Sequence, residues 1–304
     1  MATTLLDIAK RNLAASGADD GVVKMIDEAA KLHPEVMMGA ARTVIGLGYD
    51  TLVRTALGSV AFRNANEGTA RTEDTYVNRR YETYIMNPIW WVDKAVADRS
   101  EDGWQALLAD MASGKMEAAS QAMGSQFYYG VDNDAKGYPG LQAQVNSGQV
   151  VNLSGSGSTE TTIYAVKWGP RYLRWILGAD GKFEASDPEL VTKQDGDGKD
   201  LKAYQAGLTF YPGLALENAY AVGAIKNIDS SHKCDDADVA DLLEKMEENG
   251  IVPDVLYMHP IAKSYIQIAR TATTATGTPA PIPTESHGIP IMSTLSIKKT
   301  ETNW

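Results

Sequence analysis

Apolar positions near the start of the chain follow a helical period with no core to bury into. Over residues 5–32, Val22, Val23, Ile26, Ala29 and Ala30 share one helical face, Asp19 or Asp20 stands where an N-cap is needed, and Pro34 marks the end. No helix nearby in sequence could cover that stripe. The pattern predicts an arm whose apolar side needs another surface, which a neighbouring subunit would supply.

From Thr43 to Met86 the period changes. Leu52, Val53, Leu57, Val60 and Phe62 lead into the turn signal Asn64-Ala65-Asn66-Glu67-Gly68, and an extended run follows over residues 75–86, which predicts a long hairpin. Its returning strand sets Val77, Arg79, Tyr81, Thr83 and Ile85 on one face, and Tyr76, Asn78, Arg80, Glu82 and Tyr84 on the other. Neither face is cleanly apolar, whereas a half-buried sheet strand needs one that is. A ribbon of this kind projects and makes its contacts outward.

The strongest helical signal covers residues 102–123. Trp104, Leu107, Leu108, Met111, Ala118, Ala119 and Ala122 recur at three-and-four spacing, and Gly124 is expected to stop the helix. Phe127-Tyr128-Tyr129-Gly130 then reads as extended chain and residues 131–140 as a loop. Further along, residues 161–177 read as strand after a Gly/Ser connector at 154–158. Asp195-Gly196-Asp197-Gly198-Lys199 reads as a surface turn and residues 214–228 as another strand. Asp235 or Asp236 caps a helix carrying Val239, Leu242, Leu243 and Met246, ended by Asn249-Gly250. Pro260 opens a helix with Ile261, Tyr265 and Ile268, residues 271–288 are low in complexity, and residues 289–297 form a last apolar strand. Strands and helices alternate without a βαβ rhythm, so the fold class is α+β. No internal repeat occurs.

Composition narrows the function. The 304 residues are 44% hydrophobic and 22% charged, as in ordinary folded chains, and 39 acids against 28 bases leave −11, a poor balance for a protein that coats nucleic-acid phosphates. The single cysteine, Cys234, cannot form an intrachain disulfide, so nothing requires an oxidising compartment. The apolar run at the start is too short for a signal peptide, and none reaches the length that crosses a bilayer, so no membrane association is expected.

Candidate chemistry is thin. Gly46-Leu47-Gly48 lacks a third glycine, since Thr51 stands there, and Gly196-Asp197-Gly198-Lys199-Asp200 lacks the spacing and the Ser/Thr of a phosphate loop; both read as turns. His232-Lys233-Cys234-Asp235-Asp236 would need two further N or S ligands for zinc and reads as a helix cap. Asp132-Asn133-Asp134 lacks the closing Glu of a calcium loop, where Ala143 stands. Ser156 lacks the glycine frame of a nucleophile elbow. Trp90, Trp91, Trp104, Trp168 and Trp175 read as core or interface packing in a chain without a positive groove. No catalytic, cofactor or metal residue is expected.

The order arm, two-faced hairpin, long helix and irregular α+β lobe resembles the major capsid proteins of tailed bacteriophages with the Hong Kong 97-type shell fold, in a podovirus-like branch. Trp91-Val92-Asp93-Lys94-Ala95-Val96-Ala97-Asp98 before the long helix, and Phe127-Tyr128-Tyr129-Gly130 with Gly137-Tyr138-Pro139-Gly140-Leu141 after it, are similar to that family's spine-helix borders. Thr162-Ile163-Tyr164-Ala165-Val166-Lys167-Trp168-Gly169, Ile225-Lys226-Asn227-Ile228-Asp229 and Val255-Leu256-Tyr257-Met258-His259-Pro260 are similar to its strands.

The resemblance implies residues 1–42 as N-terminal arm and first peripheral strand, 43–88 as extended loop hairpin, 89–127 as peripheral domain with the spine helix, and 128–304 as axial domain with returning peripheral strands. It implies a structural subunit, not an enzyme, that self-assembles through hexamers and pentamers into an icosahedral head around double-stranded DNA. The head would form in the host cytoplasm with a scaffolding protein, a portal and a decoration protein. No long Lys/Glu-rich segment precedes the arm, so the scaffolding protein is expected to be separate. On this reading Glu67, Arg71, Arg79, Arg80 and Glu82 make the inter-subunit contacts, and Trp104, Leu107, Leu108 and Met111 pack the spine helix on the peripheral sheet. Rival readings are an encapsulin-like nanocompartment shell and a soluble intracellular enzyme.

Overall fold

The structure, a computed structural model, describes residues 33–99, 103–273, 278–302 and 304. The arm expected over residues 5–32 lies outside them. The described chain begins with a short helix α1 (Pro34–Met38) and strand β1 (Ala41–Thr43), then β2 (Gly48–Ala56) and β3 (Thr75–Glu82), which pair only with each other. Next come β4 (Ile89–Asp93), α2 (Lys94–Ala97) and the long helix α3 (Gly103–Tyr129). After α4 (Leu141–Gln144) the chain is mostly strand: β5 (Val150–Asn152), β6 (Thr161–Val166), β7 (Leu173–Leu177), β8 (Glu184–Ala185), β9 (Glu189–Gln194), β10 (Asp200–Thr209), β11 (Pro212–Leu216) and β12 (Val222–Ile228). Helix α5 (Asp236–Glu247), β13 (Val255–Met258), α6 (Pro260–Ala272), β14 (Glu285–Ser286) and β15 (Ile289–Ser293) complete it.

The core is a mixed six-stranded sheet in the order β14-β15-β13-β6-β12-β5. Every residue of β6 is buried, which requires cover on both faces. A Cβ on Gly223 of β12 would meet Leu242 and Met246 of α5, so that face carries α5. The neighbouring Ala224 lies opposite Tyr164, whose ring meets Tyr128 at the end of α3, so the other face carries the long helix. Phe127 stacks there on Trp168 at 5.7 Å and lies 5.3 Å from Trp175, making an aromatic centre for the largest core cluster. A second sheet pairs β4 with β10, which also pairs with β8 and β9, and packs on the N-terminal half of α3. A third joins β1, β7 and β11.

Several boundaries differ from the sequence reading. Helix α3 runs through Gly124 to Tyr129, so Phe127-Tyr128-Tyr129 is its last turn rather than extended chain. Gly124 is there for close approach, since a Cβ would stand 2.2 Å from Ser296 Oγ. Gly130 makes the stop, at φ +54° and against the backbone of Gly140. The strand read over 161–177 is two strands, β6 and β7, in different sheets, and 214–228 likewise divides into β11 and β12. The break between these last two brings Glu217 to Arg174 and to the backbone N–H of Arg171. In α6 the buried positions are Ala262 and Ile266, while Ile268 is exposed. The last strand stops at Ser293, and the returning hairpin strand stops at Glu82. Of the two candidate caps for α5, Asp235 is the N-cap, and Asp238 completes a capping box with it.

Candidate functional site

The feature that most needs a partner is the β2–β3 ribbon. Its register runs from Gly48↔Glu82 at the root to Ala56↔Thr75, with a shift between Arg54 and Ala56. Beyond the strands the chain is held by side chains: Asp74 accepts from the Gly58 N–H at 2.8 Å and from Arg54 at 3.1 Å, and Thr72 donates to Ser59 O at 2.6 Å. These bonds, the Gly58 N–H first, keep the Asp74 carboxyl below its ordinary pKa. At the tip Glu67 accepts from the Asn64 N–H at 3.1 Å, closing the turn that the sequence signals.

The root is anchored and the outer part is bare. Tyr49 and Tyr81 pack with ring centroids 5.5 Å apart, and the Tyr81 hydroxyl donates to Leu216 O at 2.6 Å. The Tyr49 hydroxyl donates to Glu217 at 2.5 Å, and the Arg42 guanidinium lies 4.5 Å from its ring centroid. Burial, reinforced by that bond to Glu217, pushes the Tyr49 pKa up to about 12. Outward from this root Leu52, Leu57, Val60, Phe62, Tyr76 and Val77 are exposed, with Val60 98% accessible and Phe62 wholly so. Ile45, Leu47 and Ile85, flanking the root, are exposed as well. Scattered exposed apolar residues are normal; here they run together along one element.

The charged residues named from sequence are all on this ribbon, but several already have partners within the chain. Arg80 lies 3.0 Å from Glu82 and 3.9 Å from Asp50, and Arg71 lies 3.7 Å from Glu73. Glu67 serves the tip turn, while Arg79 sits half-buried beside Tyr81. Leu52, Leu57, Val60 and Phe62, which the sequence reading takes as strand formers, are all exposed, a feature the lack of an apolar partner strand signals.

The helix residues named from sequence lie together. Leu108 is buried with Val92 and Ala97, and Trp90, Trp104, Leu107, Met111 and Tyr204 pack around them. Trp104 stacks on Tyr204 with centroids 4.7 Å apart and planes 13° apart. Of the other tryptophans Trp175 is fully buried and Trp91 is 41% exposed.

Two buried acidic clusters were not legible in the sequence. Glu35 accepts from Ser296 at 2.5 Å and Thr294 at 3.2 Å, with His33 Nδ1 at 2.8 Å from the same Ser296 Oγ. Desolvation raises the Glu35 pKa and lowers that of His33. Near the C-terminus Glu301 meets Tyr129 and Thr162 beside Glu160. Burial also holds the Cys234 thiol well above its ordinary range, so it is unreactive where it stands. Among the described residues no group of three or more His, Cys, Asp or Glu is placed to hold a metal ion, and no helix is long and apolar enough to cross a membrane.

Comparison with known proteins bears on this architecture. No curated protein matches the chain. A structure of bacteriophage Epsilon15 is similar, with TM-score 0.62 and 19% identity over 84% of each chain, so the two share a fold. A Mycobacterium phage Adephagia chain aligns with TM-score 0.47 and 12% identity over 66% of this chain and 89% of the other. The encapsulin of Synechococcus elongatus PCC 7942 aligns with TM-score 0.43 and 11% identity over 62% and 85%. The profile of the family described as major capsid protein GP7 matches residues 17–302, nearly the whole chain. The match covers well over half of the sequence, and the chain belongs to the major capsid protein GP7 family, whose members are structural shell proteins.

Proposed function

We propose that this chain forms the icosahedral head of a tailed bacteriophage around double-stranded DNA, with its ribbon as the principal reach between subunits. The observation that carries this reading is the contrast along one element: Tyr49 and Tyr81 fixed at the root, Val60 and Phe62 bare toward the tip. Burying a Val or Phe side chain contributes about 1.5–3 kcal/mol, so two such residues per copy outweigh surface ion pairs worth about 0–1 kcal/mol each. Closed shells built from one chain need head-to-tail contacts, which a projecting element supplies more readily than a compact face does.

In this reading residues 1–42 are the arm and first peripheral strand, 43–88 the extended loop, 89–127 the peripheral domain, and 128–304 the axial domain. Support for returning peripheral strands comes from β10, which comes back from the second half of the chain to pair with β4. Hexamers and pentamers, a scaffolding protein, a portal and a decoration protein complete the assembly, formed in the host cytoplasm. The net charge of −11 suits a container that packs DNA without gripping its phosphates. The test is the double variant Val60→Ser/Phe62→Ser. Its subunit should keep the wild-type circular dichroism and melting temperature yet fail to form shells. Wild-type shell yield from this variant would refute the ribbon's role.

A further inference from the structure

The stretch that follows β15 runs as a strap across the end of α3. The Lys298 N–H donates to the Tyr129 hydroxyl at 2.7 Å, and Lys298 Nζ lies 4.4 Å from that ring's centroid. The Glu301 N–H donates to Glu160 O at 3.0 Å in an antiparallel bridge, which sends both glutamate side chains off the same face. Glu301 Oε1 accepts from Tyr129, Oε2 accepts from Thr162 at 2.5 Å, and Trp304 Nε1 donates to the same Thr162 hydroxyl at 3.3 Å. Lys226 of β12 bonds the Trp304 carbonyl and lies 4.8 Å from its ring centroid.

Glu160 and Glu301 are 1% and 6% exposed, and among the described residues neither carboxyl oxygen of Glu160 has a hydrogen-bond partner. The groups facing Glu301 are therefore Tyr129 from α3, Glu160, Thr162 and Tyr164 from the β6 run, and Lys298 from the strap itself. Lys298, itself engaged with the Tyr129 ring, is the cation among the described residues that acts on the Glu301 carboxyl.

We propose that Glu301, set beside Glu160, is a proton-operated clasp: protonated, it closes the strap on α3 and β6, and ionised, it loosens it. Burial, opposed by the Thr162 and Tyr129 bonds and the Lys298 charge and aided least by Glu160, moves the Glu301 pKa from 4.5 to about 7. A released strap has the ordinary value, so the closed form binds the proton more tightly. Closure is then fully stabilised below about pH 4.5, weakens as pH rises, and levels off above about pH 7. For one proton the opening equilibrium rises roughly tenfold per pH unit across that window.

The experiment is release of Trp304 by a carboxypeptidase from the purified full chain between pH 4.5 and 8, normalised at each pH to a free peptide of residues 295–304. Wild type should show the tenfold-per-unit rise and a plateau near pH 7. Glu301→Gln, a neutral stand-in for the protonated acid, should give a flat profile. Glu160→Gln removes the neighbouring charge without touching the Glu301 bonds, so it should move the plateau to lower pH and serves where Glu301→Gln does not fold. A flat wild-type profile, an unchanged slope in Glu301→Gln, or an unmoved plateau in Glu160→Gln would each overturn the clasp.

Discussion

Replacing glycine by alanine inside a helix ordinarily gains about 0.8–1.0 kcal/mol, yet helix α3 should give opposite signs at two of its glycines. At Gly114 a Cβ meets nothing within 4 Å, so Gly114→Ala should stabilise by about that amount. At Gly124 the new Cβ would lie 2.2 Å from Ser296 Oγ, 3.1 Å from Ser296 Cβ and 2.6 Å from Glu35 Oε1. Ser296 cannot swing aside freely, because it is buried and its hydroxyl joins His33 to Glu35. Relief therefore requires the strap or the helix to shift. Such overpacking costs about 1–3 kcal/mol. Disturbing hydrogen bonds to a buried acid adds about 1.5–3 kcal/mol. Against a helix gain near 1 kcal/mol, Gly124→Ala should destabilise by about 1.5–5 kcal/mol. Urea unfolding of the unassembled subunit, followed by tryptophan fluorescence, measures both variants on one scale provided their m-values agree. A Gly124→Ala subunit as stable as wild type, or more so, would refute the claim that this glycine exists for close packing.

Other substitutions test separate parts of the structure. Leu108→Ala should cost about 2–3 kcal/mol, the low end for a buried leucine because its cluster is small and edged by half-exposed Trp90 and Trp104. The exposed Leu190→Ala should stay within about 0.5 kcal/mol of wild type, and equal losses by urea unfolding would contradict the assigned burial. Asp235→Ala removes the capping box of α5 and should cost about 1 kcal/mol, whereas Asp235→Ser should recover most of it; equal melting temperatures for the two would count against the cap.

What the sequence made legible follows from how local each signal is. The α5 cap, the Asn64–Gly68 turn and the two-faced ribbon depend on residues a few positions apart, and their chemistry is visible without the fold. Strands β8 and β9 escaped notice because their residues are mostly exposed and polar, and they are held by pairing to β10 rather than by an apolar face. Gly124 and Gly130 look alike in sequence. Only the approach of Ser296, far along the chain, separates the packing glycine from the terminating one. Glu35, Glu160 and Glu301 are likewise ordinary surface-type residues until distant segments bury them. In the ribbon the charges drew the eye, although Arg80 has Asp50 and Glu82 close at hand, while the apolar outer residues carry the larger unmet need for burial.

Those bare apolar residues should act at the level of the whole particle. Electron microscopy of the purified full-length chain with scaffolding protein present, read beside sedimentation of the same sample, tests it most directly. Closed shells of very high mass built from this one subunit are expected. Monomers or small oligomers alone, persisting at high concentration, would contradict it.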